Sequence, residues 1–284
     1  MYSSNVSASG EIVEAVQPSE ASVHTGSSPR IIAAISLNTF REAVRDRILY
    51  SLVLFVLLIT AAAVVLGDLT AGQEARTIVN LGLSAMLLFG AFISIFVGVG
   101  LVSKEIEKRT IYAIFSKPVS RGRFIVGKYL GLCLTLFINV LVMGAGVSAA
   151  LIYVGSANLA GSIWGAILLI FFELTILTAV ATLFSSFSTP ALSALLTFFV
   201  FIIGHFSNSL NEMAKNLGSQ FAKYLFAAIY YLFPNLSHYS FIANAAHGDI
   251  PPLSMALGAI AYSFVYVAIL LISTVMIFGR RNFK

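Results

Sequence analysis

One carboxyl group lies deep inside an apolar segment of this sequence. Glu173 is near the middle of the run 163–185, where an ionised carboxylate is costly unless it is paired or protonated. Such a group can carry a proton or contact a polar substrate. It can equally form a structural hydrogen bond with Thr175, Thr178 or a neighbouring segment, and Asn139, at middle depth in the preceding apolar run, is a candidate partner. Glu173 and Asn139 are therefore the candidate residues of a substrate path, with a structural hydrogen bond as the alternative.

A second group of polar residues forms a charged stretch between two long apolar runs. Residues 103–128 read SKEIEKRTIYAIFSKPVSRGRFIVGK and contain seven of the seventeen lysines and arginines. Apolar residues such as Ile111 and Ile114, flanked by charges and projecting from two rigid helices, would fit a groove on a cytoplasmic partner. The alternative is a loop that lies on the membrane surface and is anchored there by its charges.

The common catalytic and nucleotide-binding motifs are absent from the sequence. It contains no GxxxxGK[ST] phosphate loop, no GxSxG elbow and no HExxH pair. Its one cysteine, Cys133, lies in an apolar run, and no cluster of Cys and His predicts a metal site. The net charge of +5 does not indicate nucleic-acid binding, because the basic residues flank apolar runs. We therefore expect no catalytic residue, no metal site and no cofactor bound by this chain.

The composition places these residues in a membrane. The chain is 58% hydrophobic and 10% charged, whereas a soluble domain has about 25% charged residues. A helix of about 20 apolar residues crosses the hydrocarbon core. Six segments meet or approach that length, the fifth being short: 48–66, 78–102, 124–154, 163–185, 191–206 and 255–278. The expected fold is all-α, a polytopic integral membrane protein with six transmembrane helices.

Basic residues predict the orientation of these helices. Fourteen of the seventeen lysines and arginines fall on the cytoplasmic side if both termini and the loop 103–123 are cytoplasmic and Lys128, near the start of the third span, is counted with that loop. Only Arg76, Lys215 and Lys223 fall outside. Because basic loops stay in the cytoplasm, we expect a multi-pass protein of the inner or plasma membrane, in contact with membrane lipids.

Three segments lie outside the spans. Residues 1–30, rich in Ser, predict a disordered cytoplasmic tail. Residues 31–47 are amphipathic at helical spacing, which predicts a helix on the inner membrane surface, with a plain extension of the first span as the alternative. Residues 207–254 are too polar for a lipid-exposed span and predict a helical outer segment, whose main helix ends near Pro234. His205, just before this segment, is expected at the membrane interface.

The charged stretch resembles the cytoplasmic loop of membrane subunits of ABC-2 type transporters. In that family an acidic residue, a Thr-Ile pair, a Pro-Val/Ile-Ser-Arg run and a Gly-Lys pair recur in this order. The matching residues here are Glu105, Glu107, Thr110, Ile111, Lys117, Pro118, Ser120, Arg121, Gly127, Lys128 and Gly131. The branch most resembled is that of copper-site maturation and gliding-motility permeases. The surface helix, six spans and outer segment also match the family, so the resemblance covers 31–284 as one permease domain.

The resemblance implies a mechanism. Two such permeases, identical or related, pair in the membrane, and two cytoplasmic ABC ATPase subunits that bind ATP and Mg dock beneath them. The loop is the coupling element, and its expected contact residues are Glu105, Glu107, Arg109, Thr110, Ile111, Ile114, Lys117, Pro118 and Arg121. The chain would be the permease subunit of an exporter. Two alternatives remain open: a membrane anchor that transmits force without moving a solute, and an ion-coupled carrier that uses Glu173.

Overall fold

The computed structural model describes residues 28–45, 54–59, 61–62, 65–66, 72–107, 120–216 and 220–280. Their regular structure is helical, and none of these described residues forms a strand. The all-α fold predicted from hydropathy is therefore confirmed. The predicted tail lies outside the described residues up to position 27. Of the predicted first span, 48–53, 60 and 63–64 also lie outside them, and the described parts, 54–59, 61–62 and 65–66, are helical.

The remaining helices form a bundle with an additional segment near its end. In chain order they are α1 (Ser28–Arg45), α2 (Glu74–Glu107), α3 (Arg121–Tyr153), α4 (Ala157–Ser185), α5 (Pro190–His205), α6 (Ser207–Asn216), α7 (Gln220–Leu232), the 3-10 helix η1 (Leu236–Tyr239), α8 (Ile242–Ala246) and α9 (Leu253–Arg280). We call the end of the bundle where α2 ends at Glu107 and α3 begins at Arg121 the loop end. The opposite end is the far end.

Four of the described helices, α2, α3, α4 and α9, are long and apolar enough to cross a membrane. They correspond to the predicted spans 78–102, 124–154, 163–185 and 255–278. Each starts a few residues before its predicted span, because the helical backbone continues past the apolar run into more polar residues. Hydropathy therefore located these helices correctly and misplaced their ends.

Helix α4 lies at the centre of the bundle, where it contacts α2, α3, α5 and α9. Glycines of α2 allow α2 and α4 to approach each other closely. A Cβ atom added to Gly90 would lie 2.5 Å from a methyl carbon of Leu174, and one added to Gly98 would lie 3.1 Å from the Thr178 carbonyl oxygen. Small residues at such positions bring transmembrane helices together.

Helix α9, in contrast, lies at the edge of the bundle. Large apolar side chains along one face are more than half exposed in the single chain, namely Leu257, Phe264, Val265, Ile269, Ile272 and Met276. From Val265 to Met276 this face is continuous, because its residues recur at three- and four-residue spacing. In a membrane it would contact lipid or another protein.

Helix α5 is too short to cross a membrane alone. Its 16 residues span about 24 Å, whereas the hydrocarbon core is about 30 Å thick. The predicted span 191–206 is thus a helix that ends part-way. The chain continues as α6, α7, η1 and α8, and buried residues of this segment, including Leu236 and Tyr239, belong to the main core. Among the described residues, the segment predicted after the fifth span forms α6, α7, η1 and α8, and it packs on α4 and α5.

Candidate functional site

Three of the predicted coupling residues, Glu105, Glu107 and Arg121, are described, and they lie at the loop end. Helix α2 continues through Glu105 and Glu107, and α3 begins at Arg121. The other predicted contact residues lie outside the described residues: Arg109, Thr110, Ile111, Ile114, Lys117 and Pro118. The structure therefore gives the two helices that carry the loop, and the role of the loop residues stays a prediction.

Helix α1 packs against the first turns of α3, directly after the loop. A Cβ atom added to Gly127 would lie 2.9 Å from side-chain atoms of Ile35. One added to Gly131 would lie 2.5 Å from the Ser36 carbonyl oxygen and 2.7 Å from Cβ of Thr39. The Ser36 hydroxyl also donates a hydrogen bond of 2.8 Å to the Gly127 carbonyl oxygen. The two glycines therefore form a surface that admits the main chain of α1.

The amphipathic pattern of α1 thus has a partner inside the protein. Thr39 and Ala43 are buried, whereas Arg41, Glu42 and Arg45 are exposed. The less polar face, which predicted a helix on the membrane surface, packs on α3 at the GxxxG sequence. Helix α1 and the start of α3 form one packed unit next to the predicted coupling loop.

The buried carboxyl group of Glu173 faces the end of α5. Glu173 is 1% exposed, and its Oε1 lies 3.2 Å from Nδ1 of His205, the last residue of α5. The two atoms are not aligned as a hydrogen bond, and neither has a hydrogen-bond partner among the described residues. With His205 protonated the pair is a buried ion pair, and with the proton on Glu173 both groups are neutral. The pair can therefore hold a proton between α4 and α5.

The expected partners of Glu173 are engaged elsewhere. The Thr175 and Thr178 hydroxyls each donate to a main-chain carbonyl one turn earlier in α4. The Asn139 amide donates in the same way within α3, and its Oδ1 has no partner among the described residues. The hydrogen bonds expected between Glu173 and these residues are therefore absent. These side chains bond to main-chain carbonyl groups of their own helix instead, because such carbonyls lie within reach of a short side chain without any tertiary contact.

His205 lies at the depth of Glu173, although it was expected at the membrane interface. Measured from the loop end, Glu173 lies about 18 Å along α4 and His205 about 22 Å along α5. Helix α4 is about 43 Å long, so the pair is near its middle. The predicted interface position of His205 is wrong because it requires α5 to reach the far side of the membrane, whereas α5 ends at His205 after 16 residues.

Beyond the end of α5, a polar cluster joins the outer segment to α9. Its hub is Asn235, which is 5% exposed. The Asn235 main-chain N–H donates to the Tyr262 hydroxyl at 3.0 Å, and its Nδ2 lies 3.3 Å from Asn208 Oδ1 and 3.1 Å from His238 Nε2. Its Oδ1 accepts from the Ser237 N–H at 3.2 Å. One residue thereby connects α6, η1 and α9.

Two tyrosines strengthen the connection between the outer segment and α9. The Tyr239 hydroxyl donates to the Ala259 carbonyl oxygen at 2.8 Å, and the Tyr266 hydroxyl donates to the Leu232 carbonyl oxygen at 3.3 Å. Burial raises the pKa of Tyr239 well above its ordinary value, so its hydroxyl keeps its proton and remains a donor. Helix α9 is therefore fastened at the far end, although most of its length lies at the edge of the bundle.

Sequence reasoning used Pro234 to end a helix and did not single out Asn235. A local signal was present, because Asn is a preferred N-cap residue and Asn235 caps η1 by accepting from Ser237. The bond to Tyr262, 27 residues along the chain, has no such local signal. The sequence therefore indicates that Asn235 can cap a helix, but it does not indicate that Asn235 connects three elements.

A recess of about 490 Å³ opens beside this cluster, between η1 and the first turns of α9. Its lining residues are Ser237, His238, Ser254, Met255, Gly258, Ala259 and Tyr262. The lining combines hydroxyl groups and an imidazole with apolar surface, and it contains no Lys, Arg, Asp or Glu. The recess therefore offers hydrogen bonds without a fixed charge.

Comparison with known proteins agrees with this architecture. A family model described as ABC-2 family transporter protein matches residues 33–282. The match runs from within α1 to beyond the end of α9 and so includes both ends of the bundle. No curated protein matches the chain at a significant level.

Proposed function

The chain belongs to the ABC-2 family of transporter proteins, and on that basis we propose that it is the permease subunit of an ATP-driven exporter. It is a multi-pass membrane component of an ABC transporter, a class whose permeases work with ABC ATPases. In our proposal two separate cytoplasmic ATPase subunits bind ATP and Mg. A second permease, identical or related, completes the complex in the inner or plasma membrane.

Support for ATPase coupling comes from the packed unit of α1 and the start of α3. Gly127 and Gly131 let the main chains of the two helices meet, so they would move together. Helix α3 also packs against α2 and α4. A displacement applied at the loop between α2 and α3 would therefore reach the centre of the bundle.

The loop residues have defined roles in this proposal. Glu105 and Glu107, in the last turn of α2, meet basic groups on the ATPase, while Ile111 and Ile114 fill its groove. The charged contacts give orientation, and the apolar contacts exclude water. ATP-driven closure of the ATPases would move the spans and switch access across the membrane.

Glu173 and Asn139 are the residues that we propose for the substrate path. Glu173 Oε1 and Asn139 Oδ1 are both buried, and neither has a hydrogen-bond partner among the described residues. Buried polar oxygens without a partner are costly, and a polar substrate group would satisfy them. A cargo that crosses near the middle of α4 would meet Glu173.

The Glu173–His205 pair also favours a second candidate function, an ion-coupled carrier. Ionisable residues inside membrane spans often belong to proton relays. A carrier would move protons without an ATPase. The two functions therefore differ in a property that can be measured on the purified chain.

Capture of the ATPase tests the main proposal. The chain would be co-expressed with an ABC ATPase of its source organism and purified in detergent as wild type, Glu105→Arg, Glu107→Arg and Ile111→Asp. Glu74→Arg is the matched control, because it changes the same charge on the same helix at the far end. We expect wild type and control to capture the ATPase and stimulate ATP hydrolysis, and the three loop variants to lose both. Failure of the wild type to bind would remove the mechanism.

Proton flux tests the carrier alternative. Vesicles that contain only the purified chain would be loaded with a pH-sensitive dye and given a pH gradient. An ATP-independent flux that Glu173→Gln abolishes would support the carrier. Absence of flux beside intact ATPase capture would support the exporter.

A further inference from the structure

With α9 centred in a bilayer, the recess between η1 and α9 would lie at the level of lipid head groups and upper acyl chains. Helix α9 is about 42 Å long and the hydrocarbon core about 30 Å thick, so about 6 Å of a centred helix extends beyond the core at each end. Ser254, in the first turn, falls in that outer layer. Tyr262, about 12 Å further along, falls inside the hydrocarbon region. The recess therefore crosses the boundary where an amphiphile changes from polar to apolar.

The lining of the recess suits an uncharged polar group. Ser254 and Ser237 supply hydroxyl groups, and His238 and Tyr262 supply an imidazole and a phenol. A charged head group would find no countercharge among these residues, and burying a charge without a partner is costly. Hydroxyl, ester and amide groups can be satisfied by these side chains.

The recess continues into an exposed apolar face of α9. Leu257, about one turn along the helix from Ser254, is 57% exposed, and Val265, about three turns from Ser254, is 62% exposed. Between them, Gly258 leaves open space, because a Cβ atom added there would meet nothing within 4 Å. At Gly258, therefore, no side chain stands between the polar recess and the apolar face.

We propose that the recess binds an amphiphile with an uncharged head, whose acyl chain lies along the exposed face of α9. The head occupies the space above Gly258 and bonds to Ser254 and the neighbouring polar groups. The chain covers Leu257 and Val265. The ligand class is a neutral lipid with hydroxyl or ester groups in the far-end half of the bilayer.

Binding would be a property of this chain alone and goes beyond the proposed export function. Its test needs no ATPase, so a failure here and a failure of ATPase capture are distinguishable. The amphiphile has two possible sources, a resident membrane lipid or the transported cargo, and the last arm of the experiment separates them.

Photo-crosslinking with a diacylglycerol that carries a diazirine in one acyl chain tests the proposal. The full chain would be placed in phosphatidylcholine nanodiscs, irradiated and mapped by peptide mass spectrometry. We expect labelling of α9 between Ser254 and Val265. Unlabelled diacylglycerol should compete for it, whereas phosphatidylserine and hexadecane should not. Equal competition by hexadecane would mean non-specific lipid contact and would overturn the proposal.

Two pairs of variants locate the site. Gly258→Trp fills the recess and should lower labelling about tenfold, while Gly161→Trp, at another helical glycine with open space, should leave it unchanged. Ser254→Ala should lower labelling about threefold, and Ser273→Ala, on the same helix outside the recess, should not. Unchanged labelling in both Gly258→Trp and Ser254→Ala would contradict the assignment.

The source of the amphiphile follows from a final arm with the ATPase present. Loss of bound diacylglycerol on ATP hydrolysis would identify cargo, and retention would identify a resident lipid. Both outcomes support binding in the recess. Absence of specific labelling in the chain alone excludes it.

Discussion

The two ends of the bundle are held together by different interactions. At the loop end, α1 and α3 meet through main-chain surfaces at Gly127 and Gly131. At the far end, the outer segment and α9 meet through hydrogen bonds around Asn235 and Tyr262. A close main-chain contact tolerates no added atoms, whereas a hydrogen-bonded contact is lost one bond at a time. The loop end is therefore suited to move as one unit, and the far end to rearrange.

Gly131→Leu should have the largest effect on stability, because it disrupts the main-chain contact between α1 and α3 at the loop end. The new Cβ atom would lie 2.5 Å from the Ser36 carbonyl oxygen, which moves only if α1 moves. We expect a loss of about 3 kcal/mol in unfolding free energy and faster tryptic cleavage at Arg41. Thermal unfolding in detergent and limited proteolysis measure both. Gly161→Leu, with nothing within 4 Å of its new Cβ, is the control, and equal losses in the two variants would refute the contact.

Asn235→Ala should have the next largest effect and should act at the far end. It removes the side-chain bonds that Asn235, itself buried, makes to the exposed Asn208 and the half-buried Ser237. We expect a loss of about 2 kcal/mol and faster hydrogen exchange in η1, with α1 unaffected. Asn244→Ala changes an exposed asparagine of the same segment and should be neutral. Faster exchange in α1 would show that the two ends are not independent.

His205→Leu should have a smaller effect at the middle of the bundle. It leaves Glu173 buried without its neighbour, although protonation of Glu173 limits the cost to about 1–2 kcal/mol. The same change in a Glu173→Gln background should cost less, because the pair interaction is already absent. A double-mutant cycle of thermal stabilities measures the coupling. A coupling of zero would mean that the 3.2 Å approach has no energetic consequence.

Tyr262→Phe should have the smallest effect of the four. It removes the acceptor of the Asn235 main-chain N–H and should cost about 1 kcal/mol. Exchange of that amide should rise about fivefold. Tyr231→Phe is the control, since Tyr231 is 84% exposed. A rise in both variants would indicate a general loosening of the outer segment.

The sequence was most informative where one helix carries its own pattern. Long apolar runs predicted α2, α3, α4 and α9, because crossing a membrane requires length and hydropathy that a single segment displays. Gly127 and Gly131, which the resemblance singled out, also form a GxxxG sequence. This pattern does not predict which helix packs on α3, because small residues permit close approach to any helix. The tertiary structure shows that the partner is α1.

Prediction from the sequence failed where a contact depends on how two separate segments pack against each other. Glu173 was recognised as unusual, yet its neighbour His205 was assigned to the interface, because the depth at which α5 ends depends on how the outer segment packs. The long-range bonds of Asn235 were missed for the same reason. Periodicity describes which face of a helix is apolar and does not state which element covers it.

The unequal lengths of α5 and α9 have a consequence for the surrounding bilayer. The apolar part of α9 measures about 40 Å, whereas α5 measures about 24 Å, and both present exposed apolar side chains such as Phe264 and Phe199. A membrane thick enough for one flank is too thick for the other, so the lipids beside α5 must thin or the protein must tilt. Acyl-chain length then becomes a physical variable that shifts the balance between conformations of this protein, independently of any ligand.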